Sequence, residues 1–156
     1  MSDSDAIVRV KSLFFDKEEV RRRVDDGTRA ALSKAGAFVM TTGRQSMKNA
    51  PAGRYSPPGS PPFAHSGKKG ALLKRFLYFS FDPSSKSVVV GPTALGRSTV
   101  PNVQEFGGSI TIRPRRGRNK GKTIRQKYAA RPYMGPALEA NLDKIPEAFR
   151  GCINAT

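Results

Sequence analysis

The side chains best suited to catalysis are few and lie far apart in the sequence. His65 is the only histidine and stands in a segment rich in proline and glycine, and Cys152 is the only cysteine. Neither belongs to a cluster with the spacing of zinc ligands, and no pair of acidic residues stands in the apolar setting that suits acid–base catalysis. We therefore expect a protein that is not an enzyme and that holds no metal or other cofactor.

Two glycine–lysine stretches, "GKKGALLK" and "GRNKGKT", partly match the phosphate-binding loop of nucleotide-binding proteins. The second ends in Gly121, Lys122 and Thr123, and the Gly-x4-Gly-Lys-Ser/Thr pattern then requires a glycine at position 116. That position holds Arg116. The sequence therefore predicts no nucleotide site.

The most basic stretch, "RPRRGRNKGKTIRQK", runs from Arg113 to Lys127 and contains no acidic residue. Its cations are candidates for contact with DNA or with an acidic partner: Arg113, Arg115, Arg116, Arg118, Lys120, Lys122, Arg125 and Lys127. Several phosphates could be neutralised by such a loop, but it offers no aromatic residue on which bases could stack. We expect any contact with nucleic acid to be independent of sequence. A solvated loop and a loop seated on an acidic protein surface remain the alternatives.

The charge of the whole chain is +16, and it is unevenly distributed. Between Gly27 and Leu138 there are 20 Lys or Arg but only two acids, whereas the first 26 residues hold seven of the twelve acids. This asymmetry predicts an acidic partner, which could be nucleic acid, a protein surface or anionic lipid. Insertion into a membrane is not expected, because no apolar run approaches the roughly 18–20 residues that span a bilayer.

The 156 residues predict a single domain, residues 1–156, that begins with an extension over residues 1–15. That extension starts acidic and has no long apolar core, which is unlike a secretory signal. The lone cysteine is typical of a chain that folds in a reducing cytoplasm.

The longest helical pattern runs from Asp16 to Lys48, with Asp16 as the predicted N-cap and a bend near Gly27. A loop over residues 49–70 follows, because its prolines and glycines exclude a helix interior or a central strand. A loop of this length is either functional or disordered. We expect it to act as an arm toward a neighbouring subunit, through Tyr55, Pro57, Pro58, Pro61, Pro62 and Phe63.

The second half of the chain predicts a small antiparallel sheet and a final helix. Strands Leu73–Asp82 and Ser87–Gly91 are expected to form a hairpin, followed by a short helix or turn, Val100–Gly108. Two further strands, Ser109–Arg113 and Lys127–Tyr133, are expected to pair. The last element is a helix, Pro136–Phe149, whose predicted inner face consists of Ala137, Leu138, Leu142 and Ile145. The basic stretch, residues 113–127, is then the tip of a long hairpin. The predicted fold class is α+β: a small antiparallel sheet packed by a long N-terminal helix and a C-terminal helix, with two long loops.

Three stretches in order resemble a known family: "PPGSPPFAHSGKKGALLKRFLYF", "VVVGP…VQEFGG" and "ARPYMGPALEANLDKIPEAF". Together they are similar to the small neck and tail-completion proteins of tailed bacteriophages, the gene-ten-like head–tail joining family of lambdoid-type siphophages. The resemblance covers about Lys17 to Phe149. It implies a structural virion protein, made in the host cytoplasm, that forms a ring, often hexameric, between the connector and the tail tube. The basic stretch is longer and more charged than the resemblance implies.

Two of these motifs also have a physical interpretation. Glu105, Phe106, Gly107 and Gly108 place a large apolar anchor beside two residues that tolerate positive φ, which predicts a tight turn pinning a short helix to the sheet. Arg131, Pro132 and Tyr133 predict a junction between a strand and a helix, since Pro132 favours an extended Arg131 and Pro136 opens the helix. Arg131 is expected to pair with an acid of the body or of a neighbour.

The resemblance implies as partners other copies of the chain in a ring, the neighbouring head-completion or connector proteins, and the tail-tube or tail-terminator proteins. Packaged DNA is a further candidate for the basic hairpin. The alternative function is that of a basic protein that binds nucleic acid without sequence preference.

Overall fold

A 30-residue helix, α1 (Lys17–Ser46), packs against one antiparallel hairpin and the two C-terminal helices. The computed structural model describes residues 17–50, 53–65, 72–93 and 100–152. Its architecture confirms the α+β class. The other elements are β1 (Asn49–Ala50), β2 (Ala64–His65), α2 (Leu72–Arg75), β3 (Leu77–Asp82), β4 (Ser87–Pro92), α3 (Val100–Phe106), β5 (Gly108–Ile112), β6 (Ile124–Tyr128), α4 (Met134–Glu139) and α5 (Lys144–Phe149).

Small residues form the buried face of α1: Gly27, Ala31, Ala35, Gly36, Val39 and Gly43. The glycines weaken an isolated helix, yet here they allow close approach of its neighbours. A Cβ on Gly36 would lie 2.6 Å from Cγ2 of Val88, and one on Gly43 would lie 3.2 Å from Cδ2 of Leu77. The helix is continuous through Gly27, and the predicted N-cap, Asp16, lies outside the described residues.

The strands form three separate pairs within the described part of the chain. β3 and β4 form an antiparallel hairpin from Leu77↔Pro92 to Asp82↔Ser87, and its turn is closed by the Asp82 carboxylate, which accepts hydrogen bonds from the Ser84 and Ser85 hydroxyls. These bonds lower the pKa of Asp82 to about 2. β5 and β6 form a second antiparallel hairpin, and β1 pairs with β2 in parallel. The expected small sheet is therefore divided between two hairpins.

The predicted strand Leu73–Asp82 is wrong in its first four residues. Leu72–Arg75 form the short helix α2, and the strand begins only at Leu77. Leu73 and Leu77 are four residues apart, a spacing that places two side chains on one side of either a strand or a helix. The Lys74 ammonium donates to the Met47 carbonyl at 3.1 Å, so the helical turn is tied to the end of α1.

The predicted strand Lys127–Tyr133 is displaced: the observed strand, Ile124–Tyr128, begins three residues earlier and ends five residues earlier. After Tyr128 the backbone hydrogen bonds go elsewhere. The Ala130 carbonyl accepts from the Gly59 N–H at 2.8 Å, and the Arg131 N–H donates to the Gln104 carbonyl at 2.6 Å. Because Pro132 has no N–H, the segment cannot continue the ladder.

The predicted final helix is two helices, α4 and α5, with a turn at residues 140–143. Pro146 cannot donate to the Leu142 carbonyl, and its ring would crowd that carbonyl in a continuous helix. In α5 it instead occupies the first turn, where proline is tolerated. The break also changes the buried face: Ala137 is buried, Ile145 is half-buried, and Leu138 and Leu142 are exposed, which corrects the expected inner face.

The core lies where the end of α1 meets β3 and α4. Met47, Leu77 and Tyr133 are fully buried there, with Met40, Leu73 and Met134 packed around them. The buried amide of Asn141 donates to the Thr42 hydroxyl at 2.8 Å and to the Ala137 carbonyl at 2.7 Å, so it ties the turn between α4 and α5 to α1. The core is thus small, and polar bonds help to hold its edges.

We expect Gly36→Ala to destabilise the fold although alanine favours helix. Its Cβ would meet Val88 and the Phe79 ring at 2.6 and 3.1 Å, and relief of such overpacking costs about 1–3 kcal/mol, more than the helix-propensity gain of about 1 kcal/mol. Urea denaturation measures the effect. Gly91→Ala is the control, since nothing lies within 4 Å of that position. An unchanged midpoint for Gly36→Ala would contradict the close approach.

Candidate assembly surfaces

The carboxylate of Glu105 is the centre of the junction between α3 and α4. One oxygen accepts hydrogen bonds from the backbone N–H groups of Tyr133 and Met134 at 2.9 and 3.0 Å, and the other from Gly135 at 2.8 Å. The first N–H groups of a helix have no partner within it, and a negative charge there is favoured by the helix dipole. Glu105 therefore holds the start of α4.

The buried Tyr133 side chain lies beside this carboxylate. Burial raises the pKa of its hydroxyl to about 12, and the charge of Glu105 adds to the shift. The hydroxyl is therefore neutral at physiological pH. Its contribution to stability is complete below about pH 10, the pKa of an unfolded tyrosine, and is lost as the pH rises through 12.

The turn after Glu105 has the predicted backbone but not the predicted anchor. Gly107 and Gly108 have φ of 71° and 132°, and a Cβ on Gly107 would lie 2.9 Å from the Ala130 nitrogen. Both glycines therefore serve the turn. Phe106, however, is 80% exposed and does not pin the helix to the sheet. Glu105 instead attaches this short helix to the start of α4, and the aromatic side chain of Phe106 is left at the surface.

Arg131 joins the Pro/Gly loop to the same junction. Its Nε donates to the Ser56 carbonyl at 3.0 Å, while its backbone N–H donates to the Gln104 carbonyl. The partner that the structure gives this guanidinium is a loop carbonyl, whereas the sequence led us to expect an acid. Pro132 is half-buried between Arg131 and the fully buried Tyr133.

The Pro/Gly loop is hydrogen-bonded to the rest of the subunit at Gly59 and at Ala64. The Gly59 N–H donates to the Ala130 carbonyl, and the Ala64 N–H donates to the Lys48 carbonyl, both at 2.8 Å. Pro62 is buried and Pro61 and Phe63 are half-buried, so these three pack on their own subunit. Tyr55, Pro57 and Pro58 face solvent, and Tyr55 is 78% exposed. Contact of this outer part with a neighbour stays a prediction.

The basic stretch forms the tip of the β5–β6 hairpin, as the sequence predicts. The turn is held by backbone bonds such as that from the Gly121 N–H to the Pro114 carbonyl, and by the Arg113 Nε donating to the Gly121 carbonyl at 2.7 Å. All eight cations are exposed. Arg125 and Lys127 belong to β6 and not to the turn at the tip. Within the described residues the recorded ion pairs involve Glu19 and Asp25 on α1, not these cations.

An apolar groove of about 360 Å³ opens beside Phe106. Its walls come from α1, β4, the junction and the C-terminal helices: Ala35, Gly36, Val39, Val88, Val90, Glu105, Phe106, Met134, Gly135, Leu138 and Ile145. Phe106 and Leu138 stand at its edge with 80% and 46% of their surface exposed. Exposed apolar surface of this kind typically marks a binding site for another protein or ligand.

A second apolar surface lies on the outer side of the β3–β4 hairpin. Tyr78 and Ser80 share a strand face, and Val89 pairs with Ser80, so Tyr78 and Val89 project to the same side. They are 47% and 63% exposed. The opposite side of the hairpin packs on α1 through Phe79 and Val88. The Arg44 guanidinium carbon lies 5.5 Å from the centre of the Tyr78 ring, so Val89 is the more open part of this face.

The described residues offer no group of three potential metal ligands, and none of their helices combines the length and apolarity needed to cross a membrane. A scan against protein-family models finds no match, and neither the curated proteins nor the solved structures give a significant match. The surfaces themselves are therefore the basis for a functional proposal.

We expect Glu105→Gln to lower the free energy of unfolding by about 1–3 kcal/mol. The amide has one carbonyl oxygen in place of a charged carboxylate that serves three N–H groups, and charged hydrogen bonds are the stronger ones. Chemical denaturation at neutral pH measures the loss. Glu139→Gln, an exposed position on α4, is the matched control and should stay within about 0.5 kcal/mol. Equal losses for the two variants would contradict the role of Glu105.

Proposed function

We propose that this chain is a structural subunit of the bacteriophage head–tail junction, where copies of it form a ring between the connector and the tail tube. The observation that carries the proposal is the exposed Phe106 beside its apolar groove. The Glu-Phe-Gly-Gly motif contributes to the resemblance, and its aromatic residue is not used for folding within the subunit. A side chain of this size left at the surface suits contact with another protein.

The way in which the three resembling stretches meet supports the same proposal. Glu105, from the second stretch, binds the start of α4 in the third, and Arg131 of the third binds the Ser56 carbonyl just before the first. The bonded residues are 28 to 75 residues apart in the sequence but form one hydrogen-bonded junction.

A ring requires two different surfaces on each subunit, because each copy meets the next in a head-to-tail contact. The groove with Phe106 and the outer face with Tyr78 and Val89 lie on opposite sides of β4: Val88 and Val90 line the groove, and Val89 points away. This geometry suits a contact in which the groove of one subunit receives the outer hairpin face of the next. Rotation that closes such contacts produces a ring.

We expect Phe106→Ser to leave the thermal unfolding of the isolated chain within about 2 °C of wild type but to abolish joining of filled heads to tails in the phage. The physical reason is that Phe106 is 80% exposed in the subunit and would be buried only on assembly. The measurement is the yield of tailed particles by electron microscopy. Leu142→Ser, which removes a 53% exposed apolar residue outside the groove, is the matched control.

Normal joining by Phe106→Ser would show that the groove is not an assembly surface. The location of the chain has its own test, a reconstruction of the virion. Density for this chain outside the neck would overturn the proposed function, whereas a monomer in solution would not, since subunits of such rings can assemble only on the neighbouring proteins.

Sequence-independent binding of nucleic acid is the second candidate, and the fully exposed cations of the β5–β6 tip favour it. Each phosphate contact contributes about 0.9 to the slope of log K against log salt concentration. Within a ring, a tip that faces the channel would meet packaged DNA; a tip that faces outward would meet an acidic neighbouring ring.

We expect replacement of the five tip cations by Gln (Arg115, Arg116, Arg118, Lys120 and Lys122) to reduce that slope by up to about 4.5 in a DNA-shift assay. The control removes the same charge elsewhere, by replacing Arg21, Lys48, Arg75, Lys144 and Arg150 with Gln, all of them exposed. Equal effects of the two variants would mean that the tip is not a DNA site. In the phage, failed joining by the tip variant would identify a protein partner, and normal joining with faulty DNA retention would identify DNA.

A further inference from the structure

A second cavity, of about 390 Å³, lies between the Pro/Gly loop and the hairpin strand β6. We call it the loop cleft. Its lining residues are Arg54, Tyr55, Ser56, Pro62, Phe63, Leu73, Val100, Gln104, Gln126, Lys127, Tyr128, Ala129 and Arg131. It is separate from the apolar groove, with which it shares no lining residue.

The edge of β6 forms one wall of the loop cleft. Side chains alternate between the two faces of a strand, yet four consecutive residues, 126–129, line this cavity. Consecutive residues can do so only where the strand presents its edge. Within the described chain, β6 pairs on one side with β5, so the backbone groups on its other side form an open strand edge. Open edges of this kind accept an added strand.

Two buried polar atoms in the loop cleft have no hydrogen-bond partner. They are the hydroxyl of Ser56, a residue only 4% exposed, and the side-chain carbonyl oxygen of Gln104. A buried polar group without a partner is costly and uncommon in native proteins. Both residues line the same cavity as the open strand edge, so a rotation of either side chain would turn its polar atom toward a ligand bound there.

The charge around the loop cleft indicates the chemistry of that ligand. Arg54, Lys127 and Arg131 line it, and none of the described lining residues is Asp or Glu. An extended peptide that carries carboxylates would satisfy the strand edge and the cations together. One candidate within this protein is its own N-terminal segment, "SDSDAIVRV" over residues 2–10, in which two acids stand against one base, Arg9. It combines Asp3 and Asp5 with the β-branched Ile7, Val8 and Val10, which favour a strand.

The length of α1 keeps the apolar part of that segment, Ile7 to Val10, from the cleft of its own subunit, although Asp3, 14 residues before Lys17, could span about 50 Å. The 30 residues of α1 separate Lys17 from Ser46 by about 44 Å. The cleft lies at the Ser46 end, because Phe63 adjoins Ala64, which pairs with Asn49, and Leu73 packs against Met47. Val10 is seven residues before Lys17 and so reaches at most about 25 Å from it. The stretch from Ile7 to Val10 therefore has to come from another copy.

We propose that the loop cleft binds residues 3–10 of a second copy of this chain, which add as a strand to the edge of β6. This inference deepens the proposed function and rests on its self-assembly, because it names a contact that would link neighbouring subunits. Asp3 and Asp5 meet the cations of the cleft, and polar groups of the added segment satisfy Ser56 and Gln104. Each subunit gives one arm and receives another, which is a head-to-tail contact.

Cross-linking between two differently tagged full-length copies tests the proposal. One copy carries Val8→Cys and the other Gln126→Cys, both with Cys152→Ser, and a short bis-maleimide reagent joins thiols that lie close together. The control receiver carries Thr111→Cys, an exposed position on β5 outside the cleft. We expect at least about fivefold more mixed dimer with the Gln126 position than with the Thr111 position, and a lower yield at high salt.

A synthetic peptide of residues 2–12 should compete with this cross-link. Its Asp3→Asn, Asp5→Asn form should require about fivefold to tenfold more peptide for the same competition, since two charge pairs are lost. Ser56→Ala separates binding from folding: it removes a hydroxyl that has no partner in the subunit, so the unfolding midpoint should stay equal or rise, while the cross-link yield falls.

Three outcomes would overturn the proposal. The first is a mixed-dimer yield at Gln126 no higher than at Thr111. The second is an internal cross-link without mixed dimer when one chain carries both Val8→Cys and Gln126→Cys. The third is protection of the Gln126→Cys thiol by a thymidine oligonucleotide but not by the peptide, which would make the cleft a nucleic-acid site. If any of these occurs while a reconstruction places the chain in the neck, this inference fails and the proposed function stands. If the cross-link forms as expected but the chain lies outside the neck, the inference stands and the proposed function fails.

Discussion

The close approach of other elements to the small-residue face of α1 is the constraint on which the fold depends. Gly27, Gly36 and Gly43 occupy positions where a Cβ would meet Cys152, Val88 and Leu77 in turn. The N-terminal part of the helix thereby receives the end of the chain, its middle receives the β3–β4 hairpin, and its last turns receive β3 and α4. Glycine is a weak helix former, but the close packing that these three glycines allow along α1 offsets the loss of helix stability.

The second level of organisation is polar. The carboxylate of Glu105 gathers three backbone N–H groups at the start of α4, and Arg131 connects that junction to the Pro/Gly loop. Only three large side chains are fully buried in the core cluster, so these bonds have a larger share in fixing the loops than they would in a protein with a bigger core. Because Glu105 already attaches α3 to the start of α4, the neighbouring Phe106 side chain is not needed for that contact.

Several groups at the surface of the described residues take no part in holding the subunit together. Phe106, Tyr78 and Val89 are apolar groups left outside, the tip cations are exposed, and the loop cleft contains an open strand edge with two unpartnered polar atoms. The exposed apolar side chains could bind apolar surface, the tip cations could bind acidic groups, and the open strand edge could accept hydrogen bonds. A ring that joins two larger assemblies offers partners for all three, which is why we prefer that proposal to one based on charge alone.

The sequence by itself determined the fold class, the long helix, the β3–β4 hairpin, the glycine turn after Phe106 and the hairpin position of the basic stretch. These follow from local rules: periodicity, the φ freedom of glycine and the missing N–H of proline. Local rules could not distinguish strand from helix at Leu73, where a four-residue spacing fits both. They indicate a bend or an end of the last helix at Pro146, but not that the break falls at residues 140–143.

Only the tertiary structure decided what each motif does. Glu105 and Phe106 are neighbours in the sequence, and the expectation gave the anchoring role to the phenylalanine because apolar residues usually form cores. The structure gives it to the carboxylate, because the start of α4, 28 to 30 residues away, needs an acceptor at that point. In the same way, the loop cleft arises from segments that Gly59, Ala130 and Arg131 bring together. Contacts between distant residues are set by packing in three dimensions, which no local pattern records.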